Sequence, residues 1–207
     1  MAEAFDHARI AAAVVADLLA VPARCALVGG LAVMAHGRAR FTKDVDFVVE
    51  VATDAAAERI VHALVAVGYR VGSVLEQRAN GRMATVRLFR PGAATDEPDC
   101  DLLFATCGIE AEVVRGARTI LLDTGAAVPI ASRAHLVAMK LLAERPGRPN
   151  DRADLNALLS VITAKELAEV ASCLDLIAAR GYSRGKDLRA ALLERLADIG
   201  RAEAGAG

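Results

Sequence analysis

At Ser132 the hydrophobic pattern of this chain changes period, and that change limits the folds open to it. Before it, short β-branched runs alternate with helical stretches; after it, every apolar run has helical spacing. Upstream, residues 4–20 read as an amphipathic helix ending before Pro22. CALV reads as a strand running into Gly29-Gly30, LAVMAHG as a short helix closed by Gly37, and DVDFVVEV as a strand. TDAAAERIVHALVAVG is a helix with Thr53 as N-cap and Gly68 beyond its end. YRVGSVLEQ and RMATVRLFR are strands joined through Asn80-Gly81, the second alternating apolar and basic residues. DCDLLFAT is a further strand, and ARTILLDTGAAVPIAS a hairpin turning at 123–125. Downstream, helices fall at about 132–145, 150–160, 163–179 and 185–198. The pattern predicts an α+β fold: a mixed β-sheet flanked by helices, then a C-terminal helical bundle. The expected division is a core domain at 1–131 and a helical domain at 132–207.

With 207 residues, 55% of them apolar, the chain can bury a sizeable core. A formal net charge of −1 gives no bulk attraction to nucleic acid or to an anionic membrane, so any nucleic-acid contact must come from a local patch. Aromatic residues at 3%, with no Trp, argue against a platform that stacks unpaired bases. Cys25, Cys100, Cys107 and Cys173 form no C-x-x-C pair and read as thiols in a reducing cytoplasm. No stretch is apolar for long enough to span a bilayer.

The feature that carries chemistry is LVGGLAVMAHGRARFTKDVDFVVEV, residues 27–51. Side chains alternate along a strand, so Asp44 and Asp46 share one face while Val45 and Phe47 take the other. Two like charges held side by side cost energy unless a cation neutralises them, and Mg²⁺ takes one or two carboxylates while leaving positions for phosphate oxygens. Gly29-Gly30 lets backbone approach a ligand closely between a strand and a helix. Together they suit a metal–triphosphate; taken singly, an Asp-x-Asp reads as a solvated strand end and a Gly-Gly as a tight turn.

Val28, Gly29, Gly30, then thirteen residues, then Asp44-Val45-Asp46-Phe47 resembles the signature of the polymerase-beta-like nucleotidyltransferases. In that superfamily G-[GS] precedes D-h-[DE]-h. Arg40 and Thr42 fit the R-x-T-x-D run seen in its smaller bacterial members. The resemblance implies a nucleotidyltransferase-type sheet and a third carboxylate on a neighbouring strand. PDCDLLFAT offers two: Asp101, deeper in the strand, is preferred, and Asp99 at the strand mouth reads as solvated. Asp44, Asp46 and Asp101 would then hold one Mg²⁺ (or Mn²⁺), and Asp44 with Asp46 a second, in an in-line displacement. Gly30 stands where many active members have Ser.

In the helical third, Leu136 and Lys140 share a helix face, so Lys140 sits on or beside the apolar stripe, where a lysine ordinarily snorkels to water. Asn150 or Asp151 suits a helix cap, and Asp154 falls in the same first turn. Lys140, Arg145, Asp151 and Asp154 give K-x4-R-x5-D-x2-D, which resembles the second motif of the abortive-infection-type nucleotidyltransferase toxins of type IV toxin–antitoxin systems. Asn150 replaces that motif's second Lys. The resemblance implies Lys140 as a catalytic cation, Gly29, Gly30, Arg40, Thr42, Arg145, Asp151 and Asp154 as substrate-binding residues, and NTP as substrate. It implies an RNA (tRNA) or protein acceptor and a cognate antitoxin. The alternative it leaves open is a weak or inactive nucleotide-binding, antitoxin-like module on the same scaffold. His36 reads as a helix-end cation rather than a catalytic group, His62 and His135 as structural, and Arg180, Arg184, Lys186 and Arg189 as a basic patch, solvated or steering an RNA backbone.

Overall fold

The computed structural model describes residues 2–21, 23–38, 42, 44–93, 96–122, 125–145, 147 and 149–204. Its first part runs α1 (Ala2–Ala20), β1 (Arg24–Val28), α2 (Gly29–Ala35), β2 (Val45–Glu50), α3 (Asp54–Ala66), β3 (Arg70–Glu76) and β4 (Met83–Phe89). Then come β5 (Cys100–Leu103), α4 (Glu110–Arg115), β6 (Arg118–Leu121) and β7 (Ala127–Ile130). The chain continues as α5 (Arg133–Ala143), α6 (Pro149–Leu159), α7 (Ala164–Ala179) and α8 (Leu188–Ala204). The strands form one mixed sheet in the order β3-β4-β5-β2-β1-β7-β6. Only β2 with β5 and β1 with β7 run parallel among the described pairs.

The central strands are apolar runs because both their faces are covered. Cys25–Val28 of β1 are all buried, and in β2 only Asp46 and Glu50 are not. Helix α3 lays Ala57, Ile60, Val61 and Leu64 inward at helical spacing, and the Thr53 hydroxyl caps it by accepting from Ala56 N–H at 3.3 Å. Helix α5 is the pivot of the second part: it packs against α6, α7 and α8 and meets α2 from the sheet side. Leu136, Leu141 and Leu142 of α5 therefore belong to the same buried cluster as Phe47 and Leu102 of the sheet. The four cysteines are buried free thiols. No helix among the described residues is long and apolar enough to cross a membrane.

The element pattern agrees with the sequence reading, with four differences of detail. Helix α4 was not anticipated: its six residues are too few for a periodicity, and Glu110 turns back to accept from Thr106 and Cys107 N–H. Helix α6 opens on Pro149, so Asn150 and Asp151 lie inside it rather than at its cap; proline suits a first helical position because the N–H it lacks has no partner there. Helix α2 begins at Gly29 itself, so the glycine pair forms its first turn. Strand β2 begins at Val45, which leaves Asp44 just outside it. Of the hairpin turn, Gly125 has a left-handed φ of 78°, whereas residue 123 lies outside the described residues.

Candidate active site

One rung of the sheet builds the acidic wall. Val28 of β1 pairs with Asp46 of β2, Asp46 with Asp101 of β5, and Asp101 with Arg87 of β4. Partners opposite one another point to the same face, so the two carboxylates and the guanidinium lie side by side. Their chain neighbours Val45, Phe47, Cys100 and Leu102 are buried. The rung opens into a cleft of about 480 Å³, which Asp44 and Thr42 also line. The opposite wall is one face of α5: Leu136, Met139, Lys140 and Ala143, at i, i+3, i+4 and i+7. Gly29 closes the inner end with φ +65°, and a Cβ there would overlap the Asp46 carboxylate.

Burial pushes the Asp101 carboxyl above its ordinary range, and the Asp44 charge adds to this; Arg87, with Nε 3.4 Å from Oδ2, opposes it. Asp99 behaves otherwise than expected. It is buried rather than solvated, and it is the less open of the two acids. Arg90 holds it, donating from Nη2 to Oδ2 at 2.6 Å and from its backbone N–H to Oδ1 at 3.3 Å. Among the described residues no three His, Cys, Asp or Glu side chains are gathered into a preformed metal cage. Asp44, Asp46 and Asp101 instead share one wall as hard oxygen donors, and the upward push on Asp101 is what a cation would relieve. Such a set fits Mg²⁺ or Mn²⁺, which keep several waters and need only one or two carboxylates.

Lys140 reaches the cleft, but with carboxylates already at its head. Its Nζ lies 2.7 Å from Asp151 Oδ1 and 2.8 Å from Asp154 Oδ2. Asp151 lines the cleft; Asp154 is fully buried behind it and also pairs with Arg38, which follows α2. Of the expected substrate-binding residues, Gly29, Gly30, Thr42 and Asp151 border this cleft, as does Asn150. Arg145 does not: it lines two adjoining cavities. Arg40 lies outside the described residues. Arg87 and Arg38 were missed. The apolar–basic alternation of RMATVRLFR marks the exposed face of β4, but not which strand stands beside it.

The expected basic patch comes apart. Arg180 clasps Glu112 and Arg189 clasps Asp175. Lys186 donates to the carbonyls of Leu141, Leu142 and Glu144 at the end of α5. His36 and His135 are structural: Nε2 of the first lies 2.9 Å from the Ala131 carbonyl, and Nδ1 of the second 2.8 Å from the Ser132 hydroxyl.

Two solved structures share the fold. An antigenic nucleotidyltransferase-like protein from Paracoccidioides brasiliensis is 18% identical, with a TM-score of 0.51 over 89% of this chain and 91% of that one. ANT(2″)-Ia in complex with adenylyl-2″-tobramycin is 15% identical, with a TM-score of 0.54 over 84% of this chain and 98% of that one. No curated protein matches. The family described as nucleotidyl transferase AbiEii toxin, type IV toxin–antitoxin system, matches residues 15–206. Nearly the whole chain is covered, sheet and helical third alike, and the chain belongs to the AbiEii nucleotidyltransferase toxin family.

Proposed function

We propose that the cleft moves a nucleoside monophosphate from an NTP onto a hydroxyl, using Asp44, Asp46 and Asp101 to hold Mg²⁺ or Mn²⁺. The observation that carries this reading is the Asp46–Asp101 rung facing Lys140 across one cleft. The acceptor oxygen attacks the α-phosphorus, the α–β bridging P–O bond breaks, and pyrophosphate leaves. The hydroxyl proton passes to Asp101, which lines the cleft beside Asp46. Two divalent ions, one on all three aspartates and one on Asp44 and Asp46, supply charge neutralisation at the attacking and leaving oxygens when bound. The glycine at 29 keeps the wall beside Asp46 low enough for phosphate to approach. Lys140 offers its ammonium to the leaving phosphates, while Asp154 steadies it from behind. Thr42 and Asp151 border the bound nucleotide, and Arg40 belongs to the same set.

Residues 1–131 then form the nucleotidyltransferase core, and 132–207 a helical domain that contributes Lys140. The acceptor is an RNA, such as tRNA, or a protein; family membership favours a cognate antitoxin as partner. Four buried free thiols favour a reducing cytoplasm. One observation favours a second reading, a weak or inactive nucleotide-binding, antitoxin-like module: Lys140 is already claimed by two carboxylates, and Asn150 replaces the family's second Lys. Incubation with each α-labelled NTP, Mg²⁺ or Mn²⁺, and total RNA, protein or aminoglycoside separates the two. Label transfer lost in Asp46→Ala supports the enzyme; NTP binding with no transfer to any acceptor supports the module.

A further inference from the structure

The acidic cleft does not end at the rung. Leu103, Met139 and Ala143 line both it and a neighbouring cavity of about 410 Å³. That cavity shares Thr85, Thr106, Arg145 and Arg184 with a third, of about 690 Å³, which Arg78 and Tyr182 also border. The three form one path from the aspartates, between β3–β4 and the α7–α8 connection. Its far arm is basic. Several arginines elsewhere clasp a carboxylate: Arg82, Arg90, Arg133, Arg180, Arg189 and Arg195. Arg78 and Arg145 are in no ion pair among the described residues, and the hydrogen bond recorded for Arg184 goes to the Thr106 carbonyl at 3.0 Å. Of the acids on the arm, Glu144 is held by Arg195, leaving Glu76 to balance three guanidinium groups. Arg184 also has the one left-handed φ, 56°, among the described non-glycine residues. An L-residue adopts that conformation at a cost, and such residues concentrate where a side chain must be aimed.

We propose that the arm bordered by Arg78, Arg145 and Arg184 is the acceptor subsite, and that it takes an acceptor bearing phosphate groups. This rests on the nucleotidyl-transfer reading: the acceptor hydroxyl lies at the aspartates while the phosphates on the rest of the molecule lie among the guanidinium groups. Arginine forks suit phosphate oxygens, and a polycationic acceptor would be repelled along the same path. The phosphates belong either to a polynucleotide strand or to a small phosphorylated hydroxyl compound.

The test titrates the full chain, saturated with a non-hydrolysable NTP analogue and Mg²⁺, with a short labelled oligoribonucleotide, with glucose 6-phosphate and with tobramycin. Wild type binds at least one phosphate-bearing probe. Arg78→Ala/Arg184→Gly weakens that binding about 10-fold, lowers the salt slope by about one per lost contact, and leaves affinity for the NTP analogue unchanged. Arg184→Gly relieves the left-handed backbone, so folding is retained, and Arg145→Ala gives a further loss. Oligoribonucleotide binding with none of glucose 6-phosphate identifies a strand as the source, and the reverse a small phosphate ester. Equal affinity of wild type and variants for both phosphate probes overturns the subsite, as does tobramycin binding more tightly than either. If wild type fails to bind the NTP analogue, the nucleotidyl-transfer reading falls, while the arginine-dependent binding, measured without analogue, still stands or falls separately.

Discussion

Gly29 is the residue on which the least chemistry hangs and the most geometry. Its φ of +65° is strained for any other residue, and a Cβ would occupy the space of the Asp46 carboxylate. Gly29→Ala is expected to abolish transfer and to lower the melting temperature together, measured by label transfer and thermal scan on the same sample. Lys140→Met presents the opposite problem. On helix propensity alone it is benign, but it strips one cation from the fully buried Asp154 and leaves Arg38 to hold it. A stability loss of roughly 3 kcal/mol follows from breaking one side of a buried pair. Turnover per folded molecule should fall about 10²-fold, the scale of one charged transition-state contact. A urea titration beside the rate measurement separates the two effects. Asp46 and Asp101 were legible because alternation along a strand fixes a side chain's face. Depth in the strand favours Asp101 over Asp99, but the burial of Asp99 against Arg90 was not legible, and finding Arg87 needed strand register; neither is a local property of the sequence.

Helix α7 begins with a capping box in which the Thr163 hydroxyl accepts from Glu166 N–H and Glu166 accepts from Thr163 N–H at 2.9 Å. Arg133 adds a clasp from α5, with Nη1 2.9 Å from Glu166 Oε1. The Thr163 bonds, with Arg133, hold the Glu166 carboxyl below its ordinary range. A lowered carboxyl contributes stability above its unfolded pKa and loses it as pH falls through the folded value. Thr163→Ala should therefore cost about 1 kcal/mol at neutral pH and progressively less on acidification, read from urea melts across that range. At the other end of α5, Lys186 supplies donors to three terminal carbonyls. Lys186→Met leaves them without that donor and is expected to destabilise by roughly 2 kcal/mol in the same assay. Thr53 could be read as a cap from sequence because a cap is a local signal. Lys186 could not: its partners lie more than forty residues away, and as a sequence feature it looked like part of a basic patch.

At the scale of the molecule, the change of period at Ser132 showed that sheet and helices would separate along the chain, but not that α5 would form the second wall of the cleft. That placement makes ligand binding a global event. Mg²⁺ with NTP should raise the melting temperature by a few degrees, since ligand held between the two walls favours the folded state. Chelation should remove the increment, and Asp46→Asn should not show it. The acidic rung has a further consequence, one of parity. Val28, Asp46, Asp101 and Arg87 meet only because four strands are in phase, with Val45, Phe47, Cys100 and Leu102 packed on the other side. Adding or removing one residue within β2 or β5 turns the carboxylates into the core and the core residues into the cleft. The same change in the connection at 91–98 leaves the phase untouched. Length variation in this chain should thus be judged as odd or even, and by which side of a strand boundary it falls on, before its chemistry is considered at all.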